Sequence, residues 1–384
     1  MLLKSHMISF SIHKKSRLSK ARLGTIVTSH GEVQTPAFVG VATQATVKTL
    51  SSEEIPATKT QLLIANTYHL HLKPGELIIK KHGGLHSFMN WRGPLMTDSG
   101  GYQVFSLGFG RDFGTNKISQ RNQNEHISVG AQPKLLTIND DGVRFISYVD
   151  GTETFLGPKE SIRIQERIGA DIMIAFDECP SPLADYAYNI QALKRTHLWA
   201  EKCISVKKSD QALYGVIQGG RYKKLRVESA QYINTLPFDG FAIGGEFGAR
   251  KQSMSTMLSW VTKHLNEKKP RHLLGIGHVE DLRRAARAGM DTFDCIVPTH
   301  YARHGYAFTS SGKMDLNKRQ YIRDTKALDR SCACYVCQTY TRSYIAHLLK
   351  AKEITALRLL TQHNLFYFNT LMERIRFDIK KGVL

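Results

Sequence analysis

The sequence predicts an α/β protein: a (β/α)8 barrel carrying an inserted loop or hairpin, followed by a helix-rich subdomain built around a cysteine cluster. Three observations lead there. From about residue 91 onward, apolar runs of strand length alternate with amphipathic segments of helical period. The polar residues that interrupt these runs stand at their C-terminal ends. Three of the six cysteines sit together late in the chain, in "SCACYVC".

In chain order, the N-terminus "MLLKSHMISFSIHKKSRLSKARLG" is basic and lacks the long apolar core of a signal peptide. Met7 is an alternative start. The strand-like runs are "GPLMTD", "ADIMIAFDEC", "ALYGVIQGG", "FDGFAIGG", "HLLGIGH" and "DTFDCIVPT". Between them lie the helical patterns "KESIRIQERIG", "NIQALKRTHLWAEKCISV", "KKLRVESAQYINTL", "SMSTMLSWVTKHL" and "VEDLRRAARAG". Nearly continuous apolar strands separated by helices indicate a parallel sheet covered on both faces. Asp98, Asp177, Gln218, Gly244, Gly245 and Asp294 each end a run. In a closed barrel those ends converge on the face where active sites are built. An open doubly wound sheet also gathers its strand ends, yet no strand here is followed by G-x-G-x-x-G, and "GIGHVED" is a weak substitute. The barrel is therefore expected over residues 1–310. Residues 108–143 are mostly polar and aperiodic and read as the insertion, and residues 311–384 form the subdomain.

Formal charge is +20, from 53 Lys and Arg against 33 Asp and Glu. Such a surplus favours a polyanionic partner through counterion release. Aromatic residues interleave with basic ones in "RQYIRDTK" and "YTRSY", although helix core beside a solvated face gives the same pattern. No run approaches the roughly 18 apolar residues that span a bilayer. A cytoplasmic protein with no membrane partner is expected.

Cys179, Cys203 and Cys295 are scattered, whereas Cys332, Cys334 and Cys337 form C-x-C-x-x-C. Without a secretory signal, such clustering reads as metal ligation rather than disulfides. Three thiolates call for a fourth ligand in tetrahedral zinc, and His347 and His363 lie downstream. Spacing alone does not choose between them. Four protein ligands would close the site, making one structural zinc.

The stretch "TDSGGYQVFSL", residues 97–107, read by itself is a strand-ending turn whose Asp98 caps the next helix. Its paired glycines also suit a backbone that something must approach closely. Together, "MTDSGGYQVFSL", "AFDEC", "VIQGG", "FAIGG", "FDCIVPT", "CACYVC" and "LRLLTQHNL", with "TPAFVGVATQATVKTL" and "NTYHLHLKPGE" upstream, resemble tRNA-guanine transglycosylase, in the family's order and over nearly the whole chain.

The resemblance implies exchange of the wobble guanine of a tRNA anticodon for a 7-deazaguanine base. Asp294 is similar to the family's nucleophile and Asp98 to its general acid/base. Asp98, Asp177, Gln218 and the Gly245 amide would contact the base, and Tyr102 would stack on it. His300 and Arg303 fall where the family binds the anticodon. The family's spacing makes His363 the fourth zinc ligand, and its members work as homodimers or with a paralogue; a homodimer is expected here.

The residue types suit that chemistry. Keeping the ribose while one base leaves and another arrives requires a group that holds C1′, and a carboxylate does this by double displacement. A second carboxylate then serves as acid and base, which needs a pKa near working pH. A carboxylate accepts the adjacent N–H donors of a purine edge, an amide and a backbone N–H meet its carbonyl, and an aromatic ring stacks on the flipped base.

Three features depart from the family's pattern. "PTHYAR" carries His300 where an arginine is usual, and imidazole is a weaker phosphate or base-edge partner than guanidinium. The loop after Gly245 reads Glu-Phe-Gly-Ala-Arg, and the 108–143 insertion has no counterpart. Gly248 in that loop takes the place of a bacterial valine, leaving room that favours queuine over the smaller 7-aminomethyl-7-deazaguanine. Glu246 could pair with the amine of either base. Two rival readings are a zinc-dependent hydrolase on a barrel and a non-catalytic tRNA-binding paralogue. The first needs an open metal site at strand ends, and the second should lack one of the two key aspartates; neither condition holds.

Overall fold

A computed structural model describes residues 8–105, 136–147, 151–245 and 251–384. Eight strands close into a barrel, numbered here β1 (Ala37–Val41), β2 (Leu62–Ala65), β3 (Leu95–Thr97), β4 (Ile172–Ile174), β5 (Ala212–Ile217), β6 (Gly240–Ile243), β7 (Arg271–Leu273) and β8 (Thr292–Asp294). Neighbouring strands follow chain order, and pairings such as Ile172↔Ala212 and Tyr214↔Gly240 are parallel. Every residue of β1, β2, β5 and β6 is buried, as a parallel sheet covered on both faces requires.

The six apolar runs expected to be strands are β3 to β8, and the five helical patterns are helices Pro158–Ile168, Tyr186–Val206, Lys223–Thr235, Lys251–Thr262 and Val279–Arg287. The alternation did not reveal β1 and β2 as strands. Between them the chain makes only two short 3-10 turns, Ser52–Glu54 and Pro56–Thr58, so the helical half of the rhythm is missing there. Helix ends follow ordinary chemistry: Asp185 caps Tyr186–Val206 by accepting from Tyr188 N at 2.8 Å, and Gly169 ends Pro158–Ile168 at φ +77°.

The chain divides into two compact units. One holds Asn66–Leu85 and the described residues of Met96–Leu274; the other holds Phe10–Ala65, His86–Leu95 and Gly275–Leu384. In the first, Leu136–Asn139 and Gly142–Ile146 form a hairpin that Glu153–Leu156 extends to three antiparallel strands. Asn139 Oδ1 pins its turn, accepting from the amides of Asp141 and Gly142 at 2.9 and 3.1 Å. This hairpin is the described end of the expected 108–143 insertion; residues 108–135 lie outside the described part.

In the second unit, the buried pair Arg22–Asp291 fixes the entry to β8 with two bonds of 2.8 and 2.6 Å. The long helix Ile354–Lys381 buries Leu359, Leu360, His363, Phe366 and Phe368. The hairpin of Tyr306–Thr309 with Gly312–Asp315 and the helices Tyr335–Thr339 and Arg342–Lys350 share a core with it that includes Leu316, Leu328, Val336 and Ile345. Among the described residues, no helix is long and apolar enough to cross a membrane.

Candidate active site and metal centre

In the first unit, Asp98 follows β3 directly and collects four donors. Asn66 Nδ2 and Gln103 Nε2 (2.7 Å) donate to Oδ2, while the amides of Thr67 and Gly100 donate to Oδ1 at 2.8 and 3.2 Å. Burial nevertheless dominates and raises its carboxyl to about 6, against the opposing pull of these hydrogen bonds. The two glycines after it have separate jobs. Gly100 takes φ +79° so that its amide turns back to Asp98. A Cβ on Gly101 would stand 2.8 Å from the Asp177 carbonyl oxygen, so this glycine lets the two strand-end loops touch. Asp98 therefore does organise the turn, as the simple reading has it. Tyr102 is half-buried on the helical turn that follows.

Asp177 stands three residues beyond β4 and is buried. Ser99 Oγ donates to Oδ1 at 3.2 Å and Gln218 Nε2 to Oδ2 at 2.7 Å. Burial raises its carboxyl to about 6, with Asp98 and Glu178 pushing the same way through their charges. Gln218, immediately after β5, is buried, and its Oε1 has no hydrogen-bond partner among the described residues. Leaving such an acceptor unsatisfied costs about 1–3 kcal/mol. A Cβ on Gly245 would meet that Oε1 at 2.5 Å, and Gly245 sits at φ +84°. Only glycine fits there. The four residues form one polar edge: two carboxyls that can exist in either protonation state at near-neutral pH, a carboxamide and a backbone turn.

Sequence reasoning missed the braces of this edge. Asn66 and Thr67 lie inside the "NTYH" motif and Gln103 inside "DSGGYQ", so their motifs were visible though their roles were not. Glu178, next to Asp177, accepts from Tyr188 OH at 2.7 Å and from Arg195 Nε and Nη2 at 2.6 and 3.2 Å. This holds the loop after β4 to the helix Tyr186–Val206.

In the second unit, Asp294 is the last residue of β8, and its Oδ1 accepts from the Gly275 amide at 2.8 Å. His300 and Arg303 follow on and just after the short helix Val297–Ala302. His300 and His304 rings lie 4.4 Å apart, and Arg303 Nε donates to Thr299 O at 3.2 Å. Burial, with the charges of His304, Arg303 and Lys48, lowers the His300 imidazole below its ordinary value. Burial, then Arg303, lowers the Lys48 ammonium. Lys48, His300, Arg303 and His304 thus form one group of basic residues, and Lys48 and His304 had no signal of their own in the sequence. Glu246 and Gly248 lie outside the described residues.

Cys332, Cys334, Cys337 and His363 bring one ligand atom each within 4.8 Å of all the others. His363 Nδ1 lies 3.9, 3.4 and 3.4 Å from the three Sγ atoms. Bonds of about 2.3 Å to sulfur and 2.0 Å to nitrogen in a tetrahedron place N and S about 3.6 Å apart, so the spacing fits a four-coordinate metal ion. His363 Nε2 lies 2.8 Å from Phe308 O, which keeps the proton on Nε2 and the Nδ1 lone pair toward the sulfurs. Asp329 orders the cysteine loop by accepting from the Ser310 and Ser331 amides at 2.6 and 2.9 Å. His347 is not in the cluster.

A closed parallel barrel with ionisable side chains at its strand ends is the architecture of many enzymes, and the cysteine–histidine cluster can hold a metal ion. Comparison with known proteins makes the assignment specific. The family model for queuine tRNA-ribosyltransferase matches residues 16–384. The chain is 44% identical over 379 residues to the queuine tRNA-ribosyltransferase of Halothermothrix orenii, covering 98% of this chain and 95% of that one. Proteins of the same name from Desulforamulus reducens and Staphylococcus haemolyticus are 43% and 42% identical, covering 98% of this chain and 96% and 94% of theirs. The chain belongs to the queuine tRNA-ribosyltransferase family, the tRNA-guanine transglycosylases, and is a pentosyltransferase.

Proposed function

We propose that this enzyme exchanges the wobble guanine of a tRNA anticodon for a 7-deazaguanine base by double displacement on Asp294. The observation that carries this reading is Asp98: a carboxyl at a barrel strand end, braced by four donors and raised to about 6. That value lets one group donate a proton in one half-reaction and take one in the next.

In the first half, an Asp294 carboxylate oxygen bonds to C1′ as the bond from C1′ to guanine breaks. Asp98 in its acid form gives its proton to the departing guanine. In the second half, ionised Asp98 removes the proton from the incoming base, which attacks C1′ and displaces Asp294. Protons balance over the cycle, and the ribose keeps its configuration through two inversions. Asp177 accepts the base's adjacent N–H groups, and the Gln218 amide and Gly245 N–H meet its carbonyl. Gln218 Nε2 already donates to Asp177 without a base, and the Gln218 Oε1, which has no partner among the described residues, supports the reading that this edge awaits a ligand. Tyr102 supplies the stacking face. Lys48, His300 and Arg303 face the anticodon phosphates.

The ion at Cys332, Cys334, Cys337 and His363 is zinc: three soft thiolates and one imidazole are its usual donors. All four positions are filled by protein, so it ties the subdomain together and takes no part in base exchange. A homodimer belongs to this reading, as does queuine as the incoming base, which rests on the room left at Gly248. The test is incubation of the protein with guanine-loaded tRNA and labelled queuine, 7-aminomethyl-7-deazaguanine or guanine. Incorporation of label, queuine ahead of the smaller deazaguanine, is expected. No incorporation of any of the three defeats the assignment, and preference for the smaller base defeats the size argument.

A further inference from the structure

Arg226 lies on the helix Lys223–Thr235, has no part in the chemistry above, and its side chain is fully buried (0% exposed). Nε donates to Gly220 O at 2.7 Å and Nη1 to Gly244 O at 2.8 Å. Gly220 belongs to the loop after β5 that carries Gln218, and Gly244 to the turn after β6 that carries Gly245. One guanidinium thus ties together the two loops that supply the base-edge amide and the backbone N–H. Two carbonyls separated by a fixed angle suit a planar fork of donors, which an ammonium cannot reproduce.

The Gly244 carbonyl and the Gly245 N–H belong to one peptide unit. A trans peptide is planar, so its C=O and N–H point in opposite directions, and holding the carbonyl fixes where the N–H aims. A turn built of two glycines resists rotation of this plane poorly without such an anchor. The surroundings agree, since a Cβ on Gly245 would lie 3.3 Å from Arg226 Nη2 and 2.5 Å from Gln218 Oε1. The guanidinium and the carboxamide both pack close against this turn.

We propose that Arg226 is a positioning residue that sets base recognition by locking the Gly244–Gly245 peptide with its N–H toward the base carbonyl. The proposal rests on the reading above that the Gly245 amide contacts that carbonyl. It predicts an effect on the base alone: tRNA binding and the two aspartates are left as they are.

The experiment measures exchange of labelled guanine into tRNA by the full-length protein and by Arg226→Lys, with 6-thioguanine as a competitor. This analogue keeps the N–H groups of guanine and replaces only the carbonyl oxygen by sulfur, a weak acceptor. Arg226→Lys should raise KM for guanine about tenfold, leave KM for tRNA within about twofold, and shrink the wild-type preference for guanine over 6-thioguanine. A merely structural role would lower the active fraction, so kcat would fall with KM for guanine and the preference unchanged; that result overturns the proposal. Arg226→Gln, which keeps a neutral donor to one carbonyl, gives the same measurement should the lysine variant fail to fold. Wild type that does not distinguish guanine from 6-thioguanine contradicts the carbonyl-contact reading itself. Wild type that does, with both variants retaining the same ratio, contradicts only the role of Arg226.

Discussion

The carboxyl edge around Asp98 and the Cys3His cluster both bury ionisable groups, and they reach satisfaction in opposite ways. Asp98 and Asp177 are met by donors from the protein: Asn66, Thr67, Gly100 and Gln103 for one, Ser99 and Gln218 for the other. Their geometry needs no ligand to hold it. The three thiols and the imidazole instead face one another across 3.4 to 3.9 Å, and an ion satisfies all four at once. On the proposed function, the first arrangement is preorganised for a transient visitor and the second for a permanent one. Removing a single group should therefore cost the first its rate and the second its stability.

The largest expected effect is at the cluster. Structural zinc sites contribute on the order of 10 kcal/mol of binding energy to folding, so His363→Ala should lose zinc and much of the thermal midpoint, whereas His347→Ala should keep both. Elemental analysis and a melting curve check this; full zinc content in His363→Ala defeats the ligand assignment. Asp98→Asn should do the reverse, lowering kcat by about 10²–10⁴-fold with zinc content and tRNA binding retained.

The same carboxyl gives a sign to the pH dependence. With its value raised to about 6, Asp98 carries a proton below that pH and is ionised above it. On the proposed mechanism guanine release needs the acid form, so single-turnover release should decline as pH rises past about 6. Uptake of the incoming base needs the ionised form and should decline as pH falls past it. Rapid-quench rates for each half-reaction measure both limbs; two limbs of the same sign would place the acid and the base on different groups.

The smallest effect concerns the basic group around His300. His300 is held below its ordinary value, first by burial and then by His304, Arg303 and Lys48, so its ring is neutral at neutral pH and gains charge only as pH falls. His300→Arg should tighten tRNA binding a few-fold at neutral pH and flatten the rise in affinity toward low pH. Filter binding at two pH values reads this; unchanged affinity removes His300 from the interface.

What the sequence made legible follows the same division. Strands β3 to β8 could be read because the apolar runs alternate with five segments of clear helical period, and the cysteines because their spacing is short. β1 and β2 escaped because 3-10 turns replace the helix between them. The aspartates were visible as strand-end carboxylates, but their braces were not. Asn66 and Gln103 reach Asp98 from 32 residues before and five after, and Arg226 reaches Gly244 across 18. For Asn66 and Arg226 nothing local in the chain reports the contact, because the fold brings the two segments together.

The most direct test of the account is capture of the intermediate. Wild-type protein mixed with guanine-loaded tRNA and a slowly reacting incoming base should give a protein–RNA adduct that survives denaturing electrophoresis. Asp294→Asn, with fold, zinc and tRNA binding intact, should give none and should incorporate no base. An adduct that persists in Asp294→Asn, or exchange that continues without any adduct in wild type, would contradict displacement through Asp294.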